Sequence, residues 1–225
     1  MEGVFICIGC RRRKRVEDAE ILGKFLGLCK RCNERISYFP EKTVFPGSKS
    51  IDTVISTFIY EGQIKEIIRR YKFSGQVAYK DVFIKAMLRT LSSYPISKDF
   101  DLITAVPLSR KRFYERGYNQ AELLAKPLAD ALGMESNFNC IFKKRHNKKQ
   151  SLTGNKMERR ENVHDAYIAD FSKINGKRII LIDDVYTTGS TMEECAKELK
   201  DKGAKSVLGV TLAKTGRYKK GFFGK

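Results

Sequence analysis

With 225 residues, 42% of them hydrophobic, the chain is long enough to bury the core of one α/β domain and to carry a small appendage. No apolar run approaches the ~20 residues that span a bilayer, and Met1-Glu2-Gly3 leads into basic sequence without an apolar signal segment, which predicts a cytoplasmic protein with no membrane insertion. The 44 Lys and Arg outnumber the 26 Asp and Glu by 18, and the excess is clustered, which favours an anionic partner (polyphosphate or nucleic acid) over a merely solvated basic surface.

The first basic block, Arg11-Arg12-Arg13-Lys14-Arg15, lies between two pairs of cysteines. Cys7-x2-Cys10 and Cys29-x2-Cys32, eighteen residues apart, have the spacing of a four-thiolate zinc site. Each Cys-x-x-Cys can turn two sulfurs toward one ion, and with four thiolates no position stays open for water, so the expected Zn2+ is structural. Two disulfides or one redox dithiol are the alternatives; a cytosolic setting disfavours disulfides, and a dithiol needs one pair only. Residues 1–45 are too few to hold a core alone and read as a zinc-binding module. Cys140 and Cys195 have no such spacing and read as strand and core residues.

Pro40, Pro46 and Gly47 suggest a linker over residues 40–50, which sets the second domain at 50–225. Thr53 to Tyr60 is β-branched and aromatic, a strand. Ile64, Ile67, Ile68 and Tyr71 recur at helical spacing with Lys65, Arg69 and Arg70 opposite, and a further helix is predicted from about Tyr79 to Leu91. Asp101 to Val106 is a short buried strand stopped by Pro107, followed by a polar loop carrying Arg110, Lys111, Arg112, Arg116 and Gly117. Ala121, Leu124, Ala125, Leu128 and Leu132 mark the next helix. Residues 143–162 lack apolar periodicity, with eight Lys and Arg against one Glu over 143–160, and read as a long functional loop. His146 and His164 read as surface residues. Residues 214–225 hold five Lys and Arg and no acid. Strands alternating with helices predict a doubly wound parallel sheet, whose ligands lie beyond the carboxyl ends of the strands.

The most informative stretch is Ile179-Ile180-Leu181-Ile182-Asp183-Asp184-Val185-Tyr186-Thr187-Thr188-Gly189-Ser190-Thr191. Four aliphatics form a strand buried on both faces. Two carboxylates close it, a Thr/Gly/Ser loop follows, and Met192, Cys195, Ala196 and Leu199 begin an amphipathic helix. Backbone N–H groups at that helix start, with the hydroxyls of Thr187, Thr188, Ser190 and Thr191, can hold a phosphate. Asp183 and Asp184 are acceptors for vicinal ribose hydroxyls or a hard cation. A Walker A loop would need a Lys before its Ser/Thr, and the dinucleotide fingerprint needs three spaced glycines; neither is present. The pattern predicts a ribose-phosphate pocket. Because the basic loop after Val106 and the acidic loop after Ile182 should share one sheet edge, that pocket would carry phosphate at both ends of the sugar.

This run closely resembles the 5-phosphoribosyl-1-pyrophosphate (PRPP) motif of type I phosphoribosyltransferases, except at Tyr186, where the superfamily usually has a small or aliphatic residue. The competence protein F branch commonly has Tyr there. The stretch Val106-Pro107-Leu108-Ser109-Arg110-Lys111-Arg112-Phe113-Tyr114-Glu115-Arg116-Gly117-Tyr118-Asn119-Gln120, the four cysteines, and Gln150-Ser151-Leu152-Thr153 followed by Arg159-Arg160-Glu161-Asn162-Val163 resemble that same branch along essentially the whole chain. The resemblance implies the type I phosphoribosyltransferase fold and PRPP binding with Mg2+. Asp183 and Asp184 would serve as the catalytic acids, and Thr187, Thr188, Gly189, Ser190, Thr191, Pro107, Leu108, Arg110, Arg112 and Arg116 as PRPP contacts. Gln150, Arg159 and Arg160 would lie on a flexible loop that closes over PRPP. It further implies a part in DNA uptake for natural transformation, with single-stranded DNA and a competence helicase or other uptake proteins as partners. The alternative is an active phosphoribosyltransferase of nucleotide metabolism with an unidentified nitrogen acceptor and no DNA role. No residue in the sequence identifies that acceptor.

Overall fold

The structure, a computed structural model, describes residues 3–18, 27–40, 43–144 and 166–216. Strands β1 (Val4–Ile6) and β2 (Arg13–Arg15) form an antiparallel hairpin, and a short helix α1 (Lys30–Asn33) carries the second cysteine pair. Then come β3 (Val44–Pro46), β4 (Thr53–Ile59), α2 (Gly62–Phe73), α3 (Tyr79–Leu91), α4 (Ile96–Asp99) and β5 (Leu102–Ala105). After them follow α5 (Arg110–Arg116), α6 (Gln120–Leu132), β6 (Glu135–Ser136), β7 (Ile141–Lys143) and β8 (Tyr167–Ala169). The described chain ends with α7 (Phe171–Ile174), β9 (Arg178–Tyr186), α8 (Ser190–Asp201) and β10 (Ser206–Lys214).

Six strands make the main sheet in the order β3-β4-β10-β9-β5-β6, all parallel except the edge strand β3. Helices cover both faces, as a doubly wound sheet requires. Ile180, Ile182 and Val210 face one side, where they meet Ile64 and Ile67 of α2, Met87 of α3 and Leu124 of α6. Ile179, Leu181 and Val207 face the other, against Met192, Cys195 and Leu199 of α8 and the β7–β8 hairpin. The apolar spacing at 64–71 and 121–132 therefore did mark buried helix faces, and the helix expected from about Tyr79 to Leu91 has those bounds.

Three expectations need correction. Residues 40–50 hold an edge strand, because Val44 and Phe45 pair with Ile55 and Val54, and Pro46 sits where no ladder N–H is needed. The following turn is fastened to α8, since Glu193 accepts from Ser48 Oγ and from the N–H groups of Ser50 (2.7 Å) and Ile51. Second, the polar loop after Pro107 is helix α5: Ser109 caps it by accepting from Arg112 N–H, and Gly117 ends it at φ 78°. Third, β10 lies in the middle of the sheet, between β4 and β9, and no sequence expectation covered it. The loop expected at 143–162 lies outside the described residues beyond Lys144, as do Gln150, Arg159, Arg160, His146, His164 and the basic tail beyond Gly216.

The N-terminal module packs on the α2 side of the sheet. Cys7, Leu28, Cys29, Cys32 and Ile36 belong to the same buried cluster as Ile64, Tyr71 and Phe83. Arg70 of α2 donates to the carbonyls of Ile8 (2.8 Å) and Gly9 (3.0 Å), inside the first cysteine knuckle.

Candidate functional site

β5 and β9 are neighbours, and the chain leaves them toward opposite edges of the sheet, which makes their carboxyl ends the switch point where open α/β sheets bind ligands. The N–H of Val106 donates to Ile182 O (2.9 Å), so the segment entering α5 and the acids after Ile182 are held side by side. Between them lies a cavity of about 210 Å³. Pro107, Leu108, Arg112 and Arg116 line it from one strand end, and Asp183, Asp184, Thr187 and Thr191 from the other. The basic and acidic segments thus meet at one edge. Thr188, Gly189 and Ser190 are not among the lining residues, and Arg110 lines an adjoining cavity instead.

Strand alternation separates the two acids. Asp184 continues the Ile180–Ile182 face, is 7% exposed, and pairs with Lys72 of α2, Nζ to Oδ1 2.7 Å. Asp183 continues the Ile179–Leu181 face toward Tyr167 and Cys195, and its Oδ1 accepts from the Asp184 N–H (2.8 Å). Burial, and then the Asp184 charge, pushes the Asp183 carboxyl up to about 8. Burial and the neighbouring Asp184 thus favour the protonated form of Asp183, while Asp184 has Lys72 as its ion-pair partner.

Lys72 is a site residue that sequence reasoning missed. Nothing local marks it, because it sits one residue beyond the Ile64–Tyr71 periodicity. Tyr118, Asn119 and Gln120 take structural parts. Tyr118 Oη donates to Tyr71 O (2.8 Å), Tyr71 Oη to Gln120 O (3.0 Å), and Gln120 Nε2 to Lys72 O (3.5 Å), bracing the end of α2. Asn119 caps α6 and donates to Val106 O (3.1 Å). Arg116 stacks over Phe73 and donates to Gln120 Oε1 (2.8 Å), which holds its guanidinium at the cavity wall.

The turn into α8 begins at Gly189, φ 81°, where a Cβ would collide with the Tyr186 ring and hydroxyl. Thr188 and Ser190 hydroxyls share a hydrogen bond (2.9 Å), and Thr215 Oγ1 donates to Thr187 O (3.0 Å), tying the loop to the end of β10. Lys143 and Tyr167, 3.2 Å apart on the β7–β8 hairpin, close another side of the cavity. The adjoining cavity, about 630 Å³, shares Pro107, Leu108, Asn119 and Lys143 with the first and is flanked by the exposed rings of Phe113, Tyr114 and Phe142.

The ligand atoms of Cys7, Cys10, Cys29 and Cys32 all lie within 4.8 Å of one another, a set that fits one tetrahedral metal ion. The approach is tight: a Cβ on Gly9 would meet Cys32 Sγ at 2.9 Å. Burial raises the Cys32 thiol, whereas at Cys7 burial is outweighed by N–H donors, Cys29 foremost, which bring it down to about 7. Thiols this crowded do not all ionise without a cation among them.

Residues 119–221, which include Asp183, Asp184 and the turn into α8, match the phosphoribosyl transferase domain family, and the fold is of that class. Within that class the similar proteins are narrower. Competence protein ComFC of Bacillus subtilis is 36% identical over 163 residues, 71% of this chain and 63% of its own length, less than two thirds of that relative. Competence protein F of Haemophilus influenzae is 26% identical over 216 residues, covering 90% of this chain and 94% of that protein. The DNA utilization protein YhgH of Escherichia coli K12 is 25% identical over 215 residues, with 93% and 90% covered. The chain thus carries a phosphoribosyl transferase domain and has homologues among the competence proteins F and ComFC and the DNA utilization proteins YhgH. Among the described residues no helix is long and apolar enough to cross a membrane.

Proposed function

We propose that this chain binds PRPP and acts in the handling of DNA taken up for transformation. The observation that carries the reading is the cavity at the β5/β9 switch point, lined by two acids of β9 and by two guanidinium groups of α5. A ribose with phosphate at each end needs both. The start of α8 and the Thr187 and Thr191 hydroxyls would take the 5-phosphate. Asp183 and Asp184 would accept from the ribose 2- and 3-hydroxyls, and Arg112 and Arg116 would neutralise pyrophosphate. The same two acids would hold Mg2+, which would supply charge neutralisation for the leaving group. Stabilising a cation-like ribosyl transition state asks for positioning and electrostatics more than covalent work. The four cysteines would hold a structural Zn2+.

Single-stranded DNA is the proposed macromolecular partner. Its support is the net charge of +18, the exposed block around Arg11–Arg13, and the names carried by the relatives. A second reading, turnover with a nitrogen acceptor and no DNA role, has its own support in the adjoining cavity, which leaves room for an acceptor beside the first. Titration calorimetry with PRPP tests the first claim: binding is expected with PRPP and at least tenfold weaker with ribose 5-phosphate or pyrophosphate alone. No heat with any of the three overturns it. Pyrophosphate release in the presence of nitrogenous bases, with single-stranded DNA as a separate additive, separates the two readings.

A further inference from the structure

Two adjacent carboxylates at the end of a strand offer the oxygen ligands that a hard divalent cation takes. In this chain one of them is already matched. Lys72 reaches the cavity from the carboxyl end of α2, and its Nζ stands 2.7 Å from Asp184 Oδ1, with the two side chains only 18% and 10% exposed. The ammonium is delivered to a fixed point. Arg70, two residues earlier, is tied to the carbonyls of Ile8 and Gly9, Tyr71 to Gln120 O, and Lys72 O accepts from Gln120 Nε2. The stem beyond that anchor has four rotatable carbons, so the charged head can swing while the helix stays in place.

We propose that Lys72 is a tethered cation that occupies the divalent-cation place at Asp184 in the ligand-free protein, so that the acid pair admits a metal ion only together with a polyanionic ligand that draws the ammonium away. The same cavity is also lined by Arg112 and Arg116, two further cationic groups that would seat a polyanion within reach of Lys72. A ligand with several phosphate charges seated there attracts Lys72 and frees Asp184 for the metal that accompanies it. Metal and ligand then bind with positive coupling, and by linkage each strengthens the other equally. The identity of the ligand rests on the PRPP reading; the occlusion by Lys72 does not.

The test uses the full chain with its thiolate site loaded with zinc and Mn2+ as a paramagnetic probe, counted by electron paramagnetic resonance. Without ligand, Lys72→Met is expected to bind one Mn2+ at least tenfold more tightly than wild type. Lys72→Arg, which keeps the charge, should stay at the wild-type value, and adding Asp184→Asn to Lys72→Met should abolish the gain. Should the Met variant fold poorly, Lys72→Gln keeps a donor to Asp184 and is expected to show the same gain. A neutral Lys72 variant that folds and binds Mn2+ no better than wild type overturns the proposal. PRPP is then added, with correction for the Mn2+ it binds in solution. It should strengthen Mn2+ binding at least tenfold in wild type and distinctly less in Lys72→Met. A gain in Lys72→Met without any PRPP effect in wild type would sink the PRPP reading and leave the occlusion standing.

Discussion

Asp183 and Asp184 are neighbours in sequence but lie in different electrical surroundings, because successive side chains of β9 leave opposite faces of the sheet. Asp184 is buried against Lys72, so it is part of the fold as well as of the site. Asp184→Asn should therefore cost about 3 kcal/mol of stability by stranding the Lys72 charge, in addition to weakening PRPP at least tenfold; urea unfolding and calorimetry read the two effects separately. Asp183 behaves otherwise. Its carboxyl is pushed up to about 8, by burial first and the Asp184 charge second, from an unfolded value of about 3.9. The unfolded chain releases this proton first, so the folded state alone retains it between about pH 4 and 8. Stability from this group is complete below that window, falls as pH rises through it, and levels off above it. Wild type should accordingly lose stability relative to Asp183→Asn between pH 5 and 8, seen as diverging urea midpoints. Midpoints that run parallel would mean the carboxyl is ionised throughout. Gly189 adds a third residue-scale expectation. With φ 81° and the Tyr186 ring against the place of a Cβ, Gly189→Ala should cost on the order of 1–3 kcal/mol and misplace the start of α8, lowering PRPP affinity with it.

At the scale of elements, α2 ties the site to the cysteine module. Its apolar face buries Ile64, Ile67, Ile68 and Tyr71; Arg70 holds the first knuckle by two carbonyls, and Lys72 reaches Asp184. One helix therefore touches both the first cysteine knuckle and the pocket. Arg70→Ala should loosen the knuckle by about 1–3 kcal/mol, since it removes two hydrogen bonds made by a charged group in a partly buried place. The expected readout is faster zinc release to a chelator. Because Cys7, Leu28 and Cys29 share a cluster with residues of α2 and α3, removing the metal should also lower the main melting transition, measured by calorimetry with and without chelator. Helix α5 shows why the basic segment reads as a loop in the sequence. It buries none of its residues, so no apolar period marks it, and its signal is confined to the Ser109 cap and the Gly117 stop.

For the whole molecule, the charge excess of 18 sets the expectation for nucleic acid. Single-stranded DNA should bind with little sequence preference and with an affinity that falls steeply with salt, because each neutralised phosphate releases counterions. Replacing Arg11, Arg12 and Arg13 by Gln should flatten the logarithmic salt slope by about 0.7 for each phosphate that is no longer neutralised. An unchanged slope would put the DNA surface elsewhere. These three side chains are exposed around the hairpin of the cysteine module, so their replacement should leave PRPP affinity as it was.

Read alone, the amino-acid sequence determined what is local. Helical spacing at 64–71 and 121–132, the aliphatic run leading into Asp183-Asp184, the hydroxyl-rich turn before Met192 and the paired Cys-x-x-Cys knuckles each follow from neighbours within a few turns of chain, whereas the strand does not close at the two acids but runs through them to Tyr186. The parallel sheet was legible for the same reason, since strands and helices alternate visibly. Tertiary structure decided the rest. Which strand occupies the centre, that Lys72 meets Asp184, that Arg116 is braced by Phe73, and that the cysteine module shares the α2 core are meetings between distant parts of the chain. Sheet order creates those meetings, and sheet order depends on which buried faces fit together, a quantity that no local spacing or propensity contains.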